Sequence, residues 1–339
     1  MSPASELTAP DPIGPAQRTG VVSTLVKIAI TAALYALVAY RVDVGVLWAR
    51  LRSVQIGWVV LGVAVYVAGQ WLSAYKWWLL LRPVRLVVPY RRVVGFYFIG
   101  MFFNIFLPTI VGGDAVKAIV LARETGALAR STMSVFMERN VGLFALLTIA
   151  TIAAAVAPPV SVMRLSLLSL SLLLFAAFLV ANLVIANRHA YRLVDYLIAM
   201  TPLARVRSRA SSLYDAVVPY RSAAGVISAS IGLSLVFQAV VIVVVFLNAR
   251  ALAHDVPVSA LAVFVPLISL AGMLPLSVNG LGIREALYML LFGQIGIPAD
   301  VAVSMALLYA VVTLAASLPG GIVSLLQRRP DRLVAQRAG

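Results

Sequence analysis

Six stretches of this chain, at about 21–40, 56–81, 134–157, 165–186, 223–248 and 299–326, pass the length of roughly 18 apolar residues that crosses about 30 Å of hydrocarbon. Such a pattern leaves few folds open. Inside a bilayer every backbone N–H and C=O must be bonded within the protein, so only helices or a closed barrel can span it. With 62% of residues hydrophobic and 12% charged, the chain has too little polar surface to be a water-soluble globule. The predicted class is therefore all-α, a polytopic transmembrane helical bundle.

Charge orients the spans. Residues 82–92 carry Arg82, Arg85, Arg91 and Arg92 and no acid. Residues 187–222 carry six arginines against Asp195 and Asp215, and the end of the chain carries Arg328, Arg329, Arg332 and Arg337 against Asp331. All three are expected on the cytoplasmic side. A single crossing at 93–111 would put 187–222 on the wrong side. The conflict disappears if 93–123 goes in from the cytoplasm, breaks around Pro108, Gly112 and Gly113, and returns as a re-entrant hairpin. The first twenty residues hold two acids, one arginine and four prolines, unlike a cleavable signal. The expected organisation is a disordered cytoplasmic tail at 1–20, a membrane domain at 21–328 and a basic cytoplasmic tail at 329–339.

A second break interrupts the apolar run after 260, in LPLSVNGLGIRE (274–285), with Pro275, Gly280 and Gly282 as its breakers. Laid over LPTIVGG (107–113), LPLSVNG (274–280) matches Leu, Pro, Val and Gly at an offset of 167 residues. Carried forward, the topology makes the second hairpin open to the face opposite the first. Six full spans plus two re-entrant hairpins of opposite orientation form an inverted repeat, the plan of many secondary transporters. Broken backbone at membrane depth needs protein or a water-filled cavity to satisfy it, so the two breaks are expected to share a polar cavity. Ordinary proline kinks and glycine packing are the alternative.

A charge near the bilayer centre costs roughly 2.5–3.5 kcal/mol even on the lenient scale, so charges in these segments are informative. They are Lys76, Asp114, Lys117, Glu138, Arg139, Arg284 and Glu285. Arg284 follows Gly280 and Gly282 where helix should resume, so free N–H groups and a guanidinium outline an anion site. Gly112 and Gly113 ahead of Lys117 offer the same parts. Arg139 is a third cation, with Glu138 its neighbour or a ligand for a substrate ammonium. Asn104 and Asn279 supply amides beside the two breaks. Against this stands the reading that opposite charges merely pair and lock helices, with Asp114 a helix N-cap.

Several function classes lose support. The chain has no cysteine, which excludes disulfides and thiol chemistry. The string GGDAVK has the wrong spacing for a P-loop, and neither HExxH nor GxSxG occurs. No metal site and no cofactor are expected. The net charge of +15 sits in loops beside spans, where it marks topology and attraction to anionic lipid rather than nucleic acid.

The strings FFNIFLPTIVGGDAVKA, MERNVGL and LPLSVNGLGIREA, in this order, resemble the lysylphosphatidylglycerol synthase transmembrane-region family, the flippase-like domain of the bacterial multiple peptide resistance factor. The resemblance covers about 20–328. It implies a polytopic inner-membrane protein that moves a polar-headed lipid between leaflets, with relatives linked to hopanoid lipids and archaeal glycolipid assembly. It singles out Asn104, Pro108, Gly112, Gly113, Asp114, Glu138, Arg139, Pro275, Gly280, Gly282, Arg284 and Glu285. Lys117 stands where arginine is usual in the family, keeping the charge without the two-pronged phosphate geometry. No soluble aminoacyl-transferase domain is present in the sequence, so synthesis of aminoacylated lipid is not expected of it.

The function expected is flippase-like transport of a phospholipid or polyprenyl-linked lipid, in a bacterial inner membrane with both termini cytoplasmic. The alternatives are a membrane-embedded enzyme or accessory subunit acting on lipids or lipid-linked sugars, and a partner-binding membrane protein. Expected partners are the lipid itself, anionic lipids at the basic loops, and a second copy of the chain or a lipid-biosynthesis protein.

Overall fold

The computed structural model describes residues 15–106, 112–156, 161–162, 165–187, 218–274 and 277–327. Expectations for the first fourteen residues, for Pro108 and Pro275, for the arginine-rich loop 188–217 and for the tail from 328 lie outside them, as does the side chain of Asn279. Among the described residues the protein is a bundle of eleven α-helices, with strands confined to the two-residue pair β1 (Ser161–Val162) and β2 (Leu165–Ser166).

α1 (Pro15–Arg41) begins earlier than the expected span, so the last residues of the assigned tail are helical. α2 (Val44–Arg52) lies outside every expected span. It starts where the Asp43 carboxylate accepts hydrogen bonds from Gly45 N–H (2.7 Å) and Val46 N–H (3.1 Å), a side-chain cap for the open first turn. It bends 84° from α1. α3 (Ile56–Leu80), α6 (Leu128–Val156), α7 (Leu167–Ala186), α8 (Ala224–Ala251) and α11 (Ala299–Gln327) match the other five expected spans, and all five are long and apolar enough to cross a membrane. This is a multi-pass membrane protein.

The two broken segments fold as helix pairs. The first is α4 (Tyr90–Phe106) with α5 (Gly112–Thr125). The second is α9 (Val258–Gly272) with α10 (Ile283–Gly293), joined through a short 3-10 turn at Val278–Gly280. In each pair the helices lie back to back. Arg92 at the start of α4 forms an ion pair with Glu124 at the end of α5, which brings the open end of that hairpin together. In the second pair the Phe264 and Phe292 rings meet edge to face at 5.2 Å, while Gly272 lies against Gly280 at the tip.

The hairpins open at opposite ends of the bundle. α3 and α8 run antiparallel, tied at one end by Gln55 N–H to the Ala251 carbonyl (2.9 Å) and at the other by the Tyr220 hydroxyl to the Leu80 carbonyl (2.8 Å). The first hairpin belongs to the Leu80 end, where Trp77, Leu81 and Val88 pack with Val93, Leu121 and Tyr220. The second belongs to the Ala251 end, where Leu252 and Val256 pack with Leu261, Phe292 and Val301. Arg50 on α2 braces that end through Asp300 at 2.7 Å.

Candidate functional site

The first turn of α5 is built to press against α4. A Cβ on Gly113 would lie 2.2 Å from the Gly100 carbonyl, and one on Gly100 would lie 2.3 Å from Lys117 Cγ. Two glycines therefore clear the space through which the Lys117 stem passes into the protein. Asp114, in the first turn of α5 where the helix dipole favours an anion, accepts from Lys117 Nζ at 3.2 Å and from Arg139 Nε at 2.5 Å. Lys117 Nζ also meets Glu138 Oε2 at 2.6 Å, and Lys76 Nζ lies 3.4 Å from Glu138 Oε1. Five charges from α3, α5 and α6 thus form one chain, buried at Lys76, Asp114, Lys117 and Glu138 and exposed at Arg139. Its members compensate one another in a medium where each alone would be costly.

The cluster has aromatic walls. Lys117 Nζ lies 4.7 Å from the Tyr97 ring centroid and 5.3 Å from that of Trp77, within cation–π range, and the Tyr97 hydroxyl is 3.4 Å from Glu138 Oε1. Sequence reasoning missed both rings. Their signal was available, since Trp77 adjoins a lysine and Tyr97 carries a hydroxyl into an apolar run.

The second break is held by a different device. Gly282 takes φ +81°, a conformation that a side chain disfavours, and its absent Cβ would meet Leu34 Cβ at 2.7 Å. Its N–H donates to Glu285 Oε2 at 2.7 Å, while Arg284 donates to Glu285 Oε1 through Nη2 at 2.8 Å and Nε at 3.2 Å. Thr31 of α1 accepts from Val278 N–H at 3.1 Å. Two N–H groups of the break, those of Val278 and Gly282, are thereby bonded within the protein, as a membrane interior requires. Glu285 is completely buried and serves as the cap of α10; it does not line a cavity.

Both hairpins contribute described residues to one cavity of about 230 Å³. Asn104 approaches it from the first hairpin; Gly272, Gly280 and Arg284 approach from the second; Arg139 closes it from α6. Ser269, Tyr288 and Tyr309 complete its polar wall, and none of the three was among the expected site residues. The Arg284 guanidinium lies 5.9 Å from the Tyr309 ring centroid. Arg139 is eleven residues into the 29-residue α6, about 16 Å along its axis, so the cavity sits well inside the helix and away from its ends. Its side chain stays 42% exposed, against 6% for Lys117. A smaller cavity of about 130 Å³, lined by Lys76, Glu138 and Gln238, adjoins the other side of Arg139.

The structure therefore sorts the expected residues. Arg139, Arg284 and Asn104 line the larger cavity, and Lys76 with Glu138 the smaller. Asp114, Lys117 and Glu285 lie behind them as partners, so Lys117 is a buried counter-ion instead of a cation turned to substrate. Gly112 is buried at the start of α5. Among the described residues no group of three or more potential metal ligands comes together. A family model described as the lysylphosphatidylglycerol synthase TM region matches residues 24–321. No curated protein matches the chain.

Proposed function

The chain belongs to the lysylphosphatidylglycerol synthase TM-region family of lipid-related membrane proteins, and on that premise we propose that it is a flippase-like transporter carrying a polar-headed lipid between leaflets. The observation that carries this reading is one cavity lined from both hairpins, by Asn104 and by Gly280 and Arg284, with the guanidiniums of Arg139 and Arg284 in its wall. A phosphate at mid-membrane needs what those groups supply, charge and fixed N–H donors in place of water. Hydrocarbon has its own place beside it. An apolar groove of about 540 Å³ runs between α6, α7, α9 and α10, and its Leu143, Leu274 and Leu287 are near neighbours in sequence of the cavity residues Arg139, Met273 and Tyr288.

Hairpins that open at opposite ends support an inverted repeat, which would let one central site face either leaflet in turn. On this reading residues 82–92 and both termini face the cytoplasm, which the excess of loop arginines favours, and the membrane is a bacterial inner membrane whose anionic headgroups meet the basic loops. A second copy or a lipid-biosynthesis protein is its expected partner, and no chemical turnover of its own is expected.

Gly272 offers the test. A Cβ there would meet nothing within 4 Å, although the residue lines the cavity, so Gly272→Phe fills the site without a clash at the backbone. Purified protein in vesicles should accelerate exchange of a fluorescent phospholipid between leaflets. The substitution should abolish that acceleration while thermal stability is retained. Undiminished exchange with the cavity filled would overturn the proposal.

A further inference from the structure

From the arrangement of charge around this cavity we infer that the site selects a lipid headgroup of net negative charge and rejects headgroups that carry an ammonium, whether zwitterionic or aminoacylated. The inference rests on the lipid-binding reading of the cavity and goes beyond it to the substrate class. Its basis is where the carboxylates are spent.

Three acids pair with the cations around the two polar cavities: Asp114, Glu138 and Glu285. Each is already engaged by the protein. Asp114 holds Lys117 with one oxygen and Arg139 with the other. Glu138 holds Lys117 with one oxygen and faces Lys76 and Tyr97 with the other. Glu285 divides its oxygens between Arg284 and Gly282 N–H. Asp114 and Glu285 stand behind the cavity wall, and no carboxylate is among the residues described as lining it. The undescribed residues at the two tips, 107–111 and 275–276, contain no acid either.

Set against those three carboxylates are four cations, Lys76, Lys117, Arg139 and Arg284. One positive charge among these seven groups therefore has no anionic counterpart within the cluster. Of the four, Arg139 is the one left two-fifths exposed, and its exposed side lines the cavity. An arriving phosphate supplies the missing charge. An ammonium brought in with that phosphate would be desolvated facing two guanidiniums, with hydroxyls and carbonyls as its acceptors among the described lining residues of this cavity, and like-charge placement of this kind is how a site rejects a competitor. A headgroup whose remaining groups are hydroxyls meets Asn104, Ser269, Tyr288 and Tyr309 instead, all able to exchange hydrogen bonds with it.

Short-chain lipids below their micelle concentration test this without transport. Calorimetry of the detergent-solubilised protein should give dihexanoyl phosphatidylglycerol an affinity at least about tenfold above dihexanoyl phosphatidylethanolamine, with a short-chain lysylphosphatidylglycerol weaker still, and Gly272→Phe should remove the difference. Ser269→Asp, which puts a carboxylate in the wall, should narrow or reverse the preference. Equal or tighter binding of either ammonium-bearing lipid, or no binding of phosphatidylglycerol, would overturn the inference. The two proposals fail separately. Leaflet exchange that favours an ammonium-bearing lipid keeps the transport reading and removes this one. A clear anionic preference in binding without accelerated exchange does the reverse.

Discussion

Glu138→Gln is the substitution whose cost the structure sets most directly. The change is isosteric, so it opens no cavity, yet it removes one of two carboxylates from a cluster that holds Lys76, Lys117 and Arg139. Breaking a buried ion pair by deleting one partner costs about 3–5 kcal/mol, because the other charge stays desolvated. Lys117 keeps Asp114 at 3.2 Å, which argues for the lower end, about 3 kcal/mol or roughly a hundredfold in the folding equilibrium. Lys76 is the more exposed to the loss in energetic terms, since its side chain is only 5% accessible and Glu138 is its described ion-pair partner. Adding Lys76→Met should therefore return about 1–3 kcal/mol, making the double variant more stable than Glu138→Gln alone. Reversible unfolding in mixed micelles, followed by the fluorescence of the five tryptophans, measures both steps. The reasoning is refuted if Glu138→Gln is neutral within about 0.5 kcal/mol, or if the second substitution adds a further loss.

Two more predictions follow from the hairpins. Gly282→Ala should lower stability by about 1–2 kcal/mol from its positive φ, with a further loss from the 2.7 Å contact with Leu34 Cβ; thermal melts of the variant and the parent measure it, and an unchanged melting temperature would refute the reasoning. Since the chain has no cysteine, single cysteines at the exposed positions Val87, Arg130 and Asp255 report sidedness, and an impermeant thiol reagent applied to intact cells should spare the first two and label the third; labelling of Arg130→Cys with protection of Asp255→Cys would show that the first hairpin crosses the membrane, because α6, α7 and α8 separate the two positions.

The places of five of the six expected long spans were legible in the sequence because the transfer of some twenty apolar side chains from water dominates every local preference in such a segment. The two breaks were legible as well, since Pro108 with Gly112 and Gly113, and Pro275 with Gly280 and Gly282, interrupt helix where no tertiary contact is needed to explain the interruption. So was the list of charges at depth. α2 was not, being too short to span and dependent on a cap at Asp43 and a brace at Asp300.

Which charge pairs with which belonged to the tertiary structure alone. Neighbours on a helix point about 100° apart, so Glu138 and Arg139, adjacent in the chain, take different partners: Glu138 turns to Lys117 and Lys76, and Arg139 to Asp114 and the cavity. Arg284 and Glu285, equally adjacent, do meet, because Glu285 folds back to cap Gly282 in the first turn and brings its carboxylate within reach. Composition gave four cations and three acids at depth, but only helix phase and packing decided that the acids face inward and a guanidinium faces the cavity.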